Sequence, residues 1–425
     1  MRKLKRYNGL ILIVSLLLTW SCASTGTTTK TSKVSRTNLA YLYQPDKQFA
    51  SLKCAVFHTS DTTSELFVKV NFSDLLYQKD PYTGLYSCSY RLSYTMWKGY
   101  ESAEVISGNS EISGDSINYG KSVDVIHTFQ LPARIPDNYV IQVELFDMNR
   151  KASSRQYVNV WKSTMYDRQN FLLFDQNASL MFRNYVYPGE VLKIMTGKPG
   201  LNQLIVSCYF RDFPVARPPY TEDKDPVFDH RPDSLYTIPL SEGKSEWMEF
   251  KRKGFYHFRV DTTQRAGLTI FVYDEGFPEI YSAEQLREPL RYISTRKEYD
   301  SLMASDQPKA AVDDFWLKTA GTPERAKALI QKYYRNVEES NQFFTSYLEG
   351  WKTDRGLIYT VLGKPTYVYR SDNSEEWIYG EPQNRSSLNY TFVKVKNPFT
   401  GNDLMLLRSP TYKEPWFITV QSWRR

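Results

Sequence analysis

The feature that most constrains this chain is a side-chain period of two that runs through residues 38–278. Alternation at that period places successive side chains on opposite faces of a strand, whereas a helix repeats every 3.6 residues. In the run 85–97 the tyrosines Tyr86, Tyr90 and Tyr94 share one face. In 139–147 the apolar set Tyr139, Ile141, Val143 and Leu145 shares one parity. Similar runs fall at 52–58, 65–72, 122–131 and 155–161. Turn signals separate the runs: Asp80-Pro81, Thr83-Gly84, Pro136-Asp137 and Met148-Asn149. Half-buried antiparallel strands at this spacing predict a β-sandwich of immunoglobulin or fibronectin-like type over 38–165.

Residues 166–280 repeat the style and predict a second sandwich. Its strands are expected at 171–174, 181–185, 191–196, 203–210, 235–239, 247–250, 254–260 and 268–273. The insertion 211–233 is rich in proline, which forbids a regular ladder, so a long exposed loop is expected. Its acids Asp212, Glu222, Asp223, Asp225, Asp229 and Asp233 match no EF-hand spacing. Arg217, Lys224 and Arg231 are interleaved with them, so no metal site is read there.

The pattern changes near Ser282. Helices are expected from Ser282 and over 307–320. Thr322-Pro323-Glu324 then reads as a helix start, with a cap, a proline at the first helical position and an acid in the first turn. Ala326, Ile330, Tyr333, Val337, Phe344 and Leu348 form one stripe, broken at Ser340–Asn341, on a single helix that Gly350 terminates. Thr353 caps a short second helix whose buried face is Leu357, Ile358, Val361 and Leu362, and Gly363 with Pro365 ends it. Strands are expected at 366–369, 376–379, 388–395, 404–407 and 416–423, with a hairpin turn at 397–403. The fold class is therefore mainly β, with two tandem sandwiches followed by helices packed on a small antiparallel sheet.

The N-terminus reads as an address. Arg2, Lys3, Lys5 and Arg6 precede an apolar run from Leu10 to Leu18. That run is too short to span a bilayer, which takes about 20 apolar residues, and it fits a signal peptide over 1–21. Ser21-Cys22 resembles a bacterial lipobox, which implies lipidation of Cys22 and a membrane anchor. Residues 22–37, rich in Ser and Thr, read as a flexible tether. Losing residues 1–21 takes the formal net charge from +7 to +3. That removes the electrostatic footprint expected of a nucleic-acid binder. Of the remaining cysteines, Cys54 and Cys88 lie on neighbouring strand-like runs and can pair, or all can stay free as small buried hydrophobes. The presence of only 4 Cys and 4 His in 425 residues argues against zinc clusters and multi-histidine centres, and no metal or other cofactor is expected.

Gly350-Trp351-Lys352-Thr353-Asp354, with Arg355-Gly356 after it, resembles the signature of the GWxTD-domain proteins found in Bacteroidota. Phe315-Trp316, Gly321-Thr322-Pro323-Glu324, Gly363-Lys364-Pro365 and Glu376-Trp377-Ile378-Tyr379 extend the likeness over 281–425. The resemblance implies a lipoprotein whose β-domains precede this α+β domain. The Leu-Gly-x-Pro and Glu-Trp-x-Tyr pattern is also similar to the SmpA/BamE lipoproteins of the outer-membrane assembly machine, which bind partners without catalysis. The absence of an acidic run after Cys22, compared with surface lipoproteins of that phylum, implies the periplasmic face of the outer membrane.

Two readings of the signature compete. Trp351, Asp354 and Arg355 can form a site, or Trp351 can pack in the core, Thr353 cap a helix, and Asp354 pair with Arg355. No nucleophile–base pair accompanies them, because His58, His127, His230 and His257 all fall in the β-regions as ordinary residues. Asp313-Asp314 and Glu338-Glu339 diverge by about 100° on helices and read as solvated faces. The expectation is a non-catalytic lipoprotein that binds an envelope protein complex at the outer membrane, in assembly or export. The alternative, capture of glycans, calls for a row of exposed aromatics, which the 15% aromatic content could supply.

Overall fold

The computed structural model describes residues 33–164, 166–223 and 228–424. Cys22, the expected signal peptide, the first part of the tether and Asp225 lie outside them. Strands β1 (Lys53–His58), β2 (Ser64–Asn71), β3 (Gln78–Lys79), β4 (Tyr86–Trp97), β5 (Val105–Asp115), β6 (Asp124–Leu131), β7 (Asn138–Asp147) and β8 (Ala152–Trp161) build the first β-region. Their sheets run β1-β2-β6 and β3-β4-β7-β8, with β5 on the other edge of β4. The predicted parity holds: Leu66 and Val68 from one sheet meet Tyr90, Leu92, Ile141, Val143 and Leu145 from the other in a shared core. Strand β5 escapes a hydrophobic reading because most of its side chains are solvated. It is held by its ladder to β4, from Cys88 opposite Asp115 to Trp97 opposite Val105.

The second β-region comprises β9 (Phe171–Asp175), β10 (Tyr185–Val186), β11 (Val191–Thr196), β12 (Gln203–Tyr209), β13 (Ser234–Ser241), β14 (Lys244–Ser245), β15 (Met248–Glu249), β16 (Gly254–Arg259) and β17 (Leu268–Val272). They join into one sheet of order β10-β17-β16-β12-β13-β14-β11-β15, with β9 on β11. Strand β13 pairs with β12 through Pro239 and with β14 from Leu240, so it passes from one layer to the other. Leu173, Leu192 and Ile194 of one layer then pack against Val206, Phe258 and Ile270 of the other.

Six helices follow among the described residues: α1 (Ala283–Arg287), α2 (Arg296–Ala304), α3 (Pro308–Ala320), α4 (Pro323–Phe344), α5 (Asp354–Leu362) and, at the end of the chain, α6 (Lys413–Trp423). Between α5 and α6 lies an antiparallel sheet, β18 (Tyr367–Arg370), β19 (Ser374–Tyr379), β20 (Leu388–Lys394) and β21 (Leu404–Leu406), paired in chain order. Thr322 accepts a hydrogen bond from Arg325 N as the predicted cap of α4.

Several expectations are corrected. Residues 416–423 are helical. Trp416, Val420 and Trp423 sit at i, i+4 and i+7 and turn one face to the core, which outweighs the β-branched residues between them. Helix α4 ends at Phe344 and not at Gly350, because Thr345 adopts extended backbone and its Oγ1 donates to Asn341 O. Cys54, Cys88 and Cys208 are free thiols. Cys54 and Cys88 lie on different sheets, opposite Val68 and Asp115 respectively.

The tether is shorter than its composition implies. Val34 is 3% exposed, and Ser35 N bonds Tyr100 O at 2.9 Å. The 211–233 insertion does not stand free either. Ala216 N donates to Lys352 O, Ser409 N donates to Pro219 O, and Phe213 packs edge-on to Tyr347. Arg211 pairs with Asp233, and Arg217 lies 3.8 Å from Asp223, so interleaved cations offset part of the acidic charge.

The outer face of β16–β17 is covered by the C-terminal region. Phe399, from the turn between β20 and β21, packs on Tyr209, Phe255 and His257. His257 is 2% exposed, 2.9 Å from Thr269 Oγ1 and 2.8 Å from Arg265 O. Burial pushes its pKa down to about 4, against the Arg265 carbonyl that favours the cation. The unfolded chain therefore takes up this proton first as pH falls. The stability contributed by neutral His257 is complete above about pH 6.5 and is lost as pH falls towards 4, by up to roughly 3 kcal/mol. Chemical denaturation across that range should show the loss, and His257→Leu should flatten this part of the profile while lowering stability at pH 7.

Candidate functional site

The signature begins with a backbone contact. Gly350 lies against the last turns of α4, where a Cβ would overlap Ser340 O, and a Cβ on Gly356 would overlap Gly350 O. Two glycines thus let three backbone segments stack without side chains between them. The break at Ser340–Asn341 in the apolar stripe is explained by this contact. Ser340 Oγ donates to Asn336 O, and Asn341 Oδ1 accepts from Trp351 N while its Nδ2 donates to Pro278 O. Buried polar groups here hold the incoming backbone, which apolar residues cannot do.

From that turn the signature side chains separate. Trp351 is 3% exposed, its ring is edge-on to Tyr292, and its Nε1 donates to Glu349. Thr353 caps α5 as expected, accepting from Gly356 N at 3.1 Å and donating to Gly350 O at 2.7 Å. Asp354 does not pair with Arg355. It accepts from Leu406 N at 2.7 Å and from Arg408 at 2.5 Å, both charged side chains being under a tenth exposed. It therefore clamps the start of α5 to β21, with the positive helix end as a further stabiliser. Gly363 has φ +80° with ψ −153°, backbone that only glycine adopts easily, and Tyr379 donates to its carbonyl. Pro365 O accepts from Gln44 at 3.4 Å.

Arg355 points elsewhere. It donates to Asn402 O and Asn402 Oδ1 and lies 3.6 Å from Glu375. Glu375 is the centre of a buried cluster. Its Oε1 accepts from Tyr43 OH and from Trp377 Nε1, each at 2.6 Å, and its Oε2 accepts from Arg370 Nε at 2.8 Å. Tyr43 OH in turn accepts from Arg370 at 2.6 Å. Burial alone would raise the Glu375 carboxyl, but Arg370 and Arg355 hold it below the ordinary glutamate value. Burial and the neighbouring carboxylate push Tyr43 up to about 12, so it stays a neutral donor. Tyr43, Arg370 and Glu375 were absent from the predicted site, and the only sequence signal was a charge inside an apolar strand pattern at 374–379.

Glu339 likewise is not on a solvated face. Its Oε2 accepts from Tyr359 OH at 2.7 Å, and it sits 3.4 Å from Lys364. Asp313 and Asp314 do face water, paired to Lys309 and Lys318 one turn away. In the first β-region, Glu111, His127 and Tyr90 form a relay-like series, but Tyr90 is fully buried, so its hydroxyl meets no substrate. No group of three or more His, Cys, Asp or Glu suited to a metal occurs among the described residues. No helix among them is long and apolar enough to cross a membrane.

Above the cluster opens a cleft of about 1930 Å³, lined from all three regions and including Tyr43, Arg370, Phe343 and Asn402. It exceeds the roughly 300–1,000 Å³ of small-molecule sites.

Gly350→Ala and Gly356→Ala should each cost at least about 3 kcal/mol by denaturant titration, since backbone has to move. Gly321→Ala, with open space but φ +79°, should cost only about 1–2 kcal/mol. Glu375→Gln strands the buried Arg355 and the partly buried Arg370 and should cost about 3–5 kcal/mol. Asp354→Asn should lower stability by about 1–3 kcal/mol; an unchanged melting temperature would contradict its role as a clamp.

Residues 254–425 match the family model of the GWxTD domain. No curated protein matches the chain. Among solved structures, a transglutaminase of red sea bream is 10% identical, with 53% of this chain and 31% of that chain covered and a TM-score of 0.19. A Bacteroides uniformis β-glucuronidase 2, covalently bound to cyclophellitol-6-carboxylate aziridine, is also 10% identical, with 30% and 17% covered and a TM-score of 0.18. The chain spans less than a third of the length of either, and likenesses this low carry no argument about fold or activity. The family match starts at Gly254, so it takes in β16 and β17, whose outer face the Phe399 turn covers. Over residues 254–425 the chain is thus similar to the GWxTD domain, with the signature glycines, cap and clamp in place.

Proposed function

We propose that the protein is a lipid-anchored, non-catalytic component of the outer membrane that binds an envelope protein complex, in outer-membrane protein assembly or export. The observation that carries this reading is the inward commitment of the signature. Trp351, Thr353, Asp354 and Arg355 each have internal partners and share no open cleft. Such residues build a rigid scaffold, which suits binding better than turnover. Partner surface is available at the far end of the first β-region. Strand β5 is an edge strand, and Ile112 on it and Ile117 and Tyr119 just after it are more than half exposed. An exposed edge beside apolar side chains is a common template for strand addition. The Cys22 lipobox and the Ser/Thr-rich segment support tethering, with the periplasmic face favoured.

The glycan-capture alternative has less support. Trp97, Trp316, Trp351, Trp377, Trp416 and Trp423 are buried, while Trp247 is 43% exposed and stands under Lys193. The stacked pair Tyr86–Tyr119 is the best aromatic platform.

Crosslinking in intact cells followed by affinity purification should recover an outer-membrane or periplasmic complex. Recovery of the lipoprotein alone would count against the reading. Cys22→Ala should move the protein from the membrane to the soluble fraction, and unchanged fractionation would remove the anchor.

A further inference from the structure

The central cleft carries an excess of cations. Nine Lys and Arg line it against three carboxylates, Asp74, Asp167 and Asp175. Four of the nine, Lys69, Arg155, Arg183 and Arg370, pair with Asp124, Glu144, Glu190 and Glu375, carboxylates that do not line the cleft. Lys53, Arg168, Arg265, Lys394 and Lys396 have no carboxylate within ion-pair distance among the described residues, unlike Arg155 and Arg183 in the same wall. The side chains of all five are exposed. Cations clustered without counter-charges in a concave wall focus a positive potential onto whatever enters.

A second feature lies on the same wall. Strand β1 pairs only with β2, and Ser51, Leu52, Lys53 and Cys54 at its start line the cleft. The main-chain groups on the free side of Lys53–Ala55 have no hydrogen-bond partner among the described residues. A free strand edge recognises main chain, which a glycan lacks, and a planar bilayer cannot enter a concave cleft.

We propose that this cleft binds an extended acidic polypeptide segment of a partner protein, which adds to the free edge of β1 and places its carboxylates among Lys53, Arg168, Arg265, Lys394 and Lys396. The inference deepens the partner-binding reading and rests on it.

The test uses the full chain and a fluorescent oligo-glutamate peptide, read by anisotropy. Binding should weaken with rising salt, as screening of exposed charges requires. The triple variant Arg168→Glu, Lys394→Glu, Lys396→Glu should weaken binding by roughly tenfold or more at an unchanged melting temperature. If that variant is destabilised, the neutral variants Lys394→Gln and Lys396→Gln carry the test, each with a smaller loss. An alternately N-methylated oligo-glutamate should also bind more weakly, because it lacks donors for β1. Equal binding by the charge variants, or by the N-methylated peptide, would overturn the proposal. So would tighter binding of oligogalacturonate or of phosphatidylglycerol vesicles, which would make the ligand a glycan or a membrane. If the peptide fails but crosslinking still recovers an envelope complex, the cleft proposal falls and the partner-binding reading stands.

Discussion

The contact between Gly350 and the carbonyl of Ser340 is the constraint on which the C-terminal domain depends. It lets the chain that leaves α4 fold back directly beneath the helix. Gly356 repeats the device against Gly350. Once both glycines are in place, Thr353 is positioned to cap α5, and the first two side chains of that helix leave in different directions. Asp354 reaches Arg408 and β21, while Arg355 reaches Asn402 and Glu375. Asn402 in turn donates to the carbonyls of Phe343 and Thr345, closing the end of α4. Helix end, turn and sheet are thus joined by groups that leave few buried polar atoms unmatched.

Glu375 extends the same logic to the N-terminal segment. Tyr43 is more than three hundred residues away in sequence, yet its hydroxyl bonds the Glu375 carboxylate. Leu39 N donates to Val368 O, and Leu39, Leu42 and Tyr43 belong to the core of the C-terminal domain. A buried ion cluster is a weak source of net stability, but removing one partner leaves an uncompensated buried charge. Here it joins the segment around Tyr43 to the β18–β21 sheet. Phe399 on the second β-region and Gly401 against the Trp161 ring complete the interlock.

Most strands of both β-regions were legible because burial on one face writes a period of two into the sequence, as in Tyr139, Ile141, Val143 and Leu145, although the expected run 181–185 is strand only from Tyr185. Strand β5 was not, since its side chains are mostly wet and only the ladder to β4 specifies it. The 211–233 insertion reads as loop from its prolines, but its docking beside Lys352 leaves no local trace. In α6, Trp416, Val420 and Trp423 do carry a helical spacing, masked by the β-branched residues between them. The Thr353 cap and the Gly363 stop follow from local chemistry and were readable. The partners of Asp354 and Arg355 depend on β19, β21 and the Asn402 turn, and no local rule supplies them.

The sequence by itself determined which segments alternate, where helices start and that a GWxTD-like signature is present, because those are properties of neighbouring residues. Only the tertiary structure decided that both signature glycines are needed for close backbone approach. Only it showed that Glu375 gathers Tyr43, Arg355 and Arg370, and that cations from three regions line one cleft. Those outcomes depend on which distant backbones touch, and that is set by packing of the whole chain and not by any window of it.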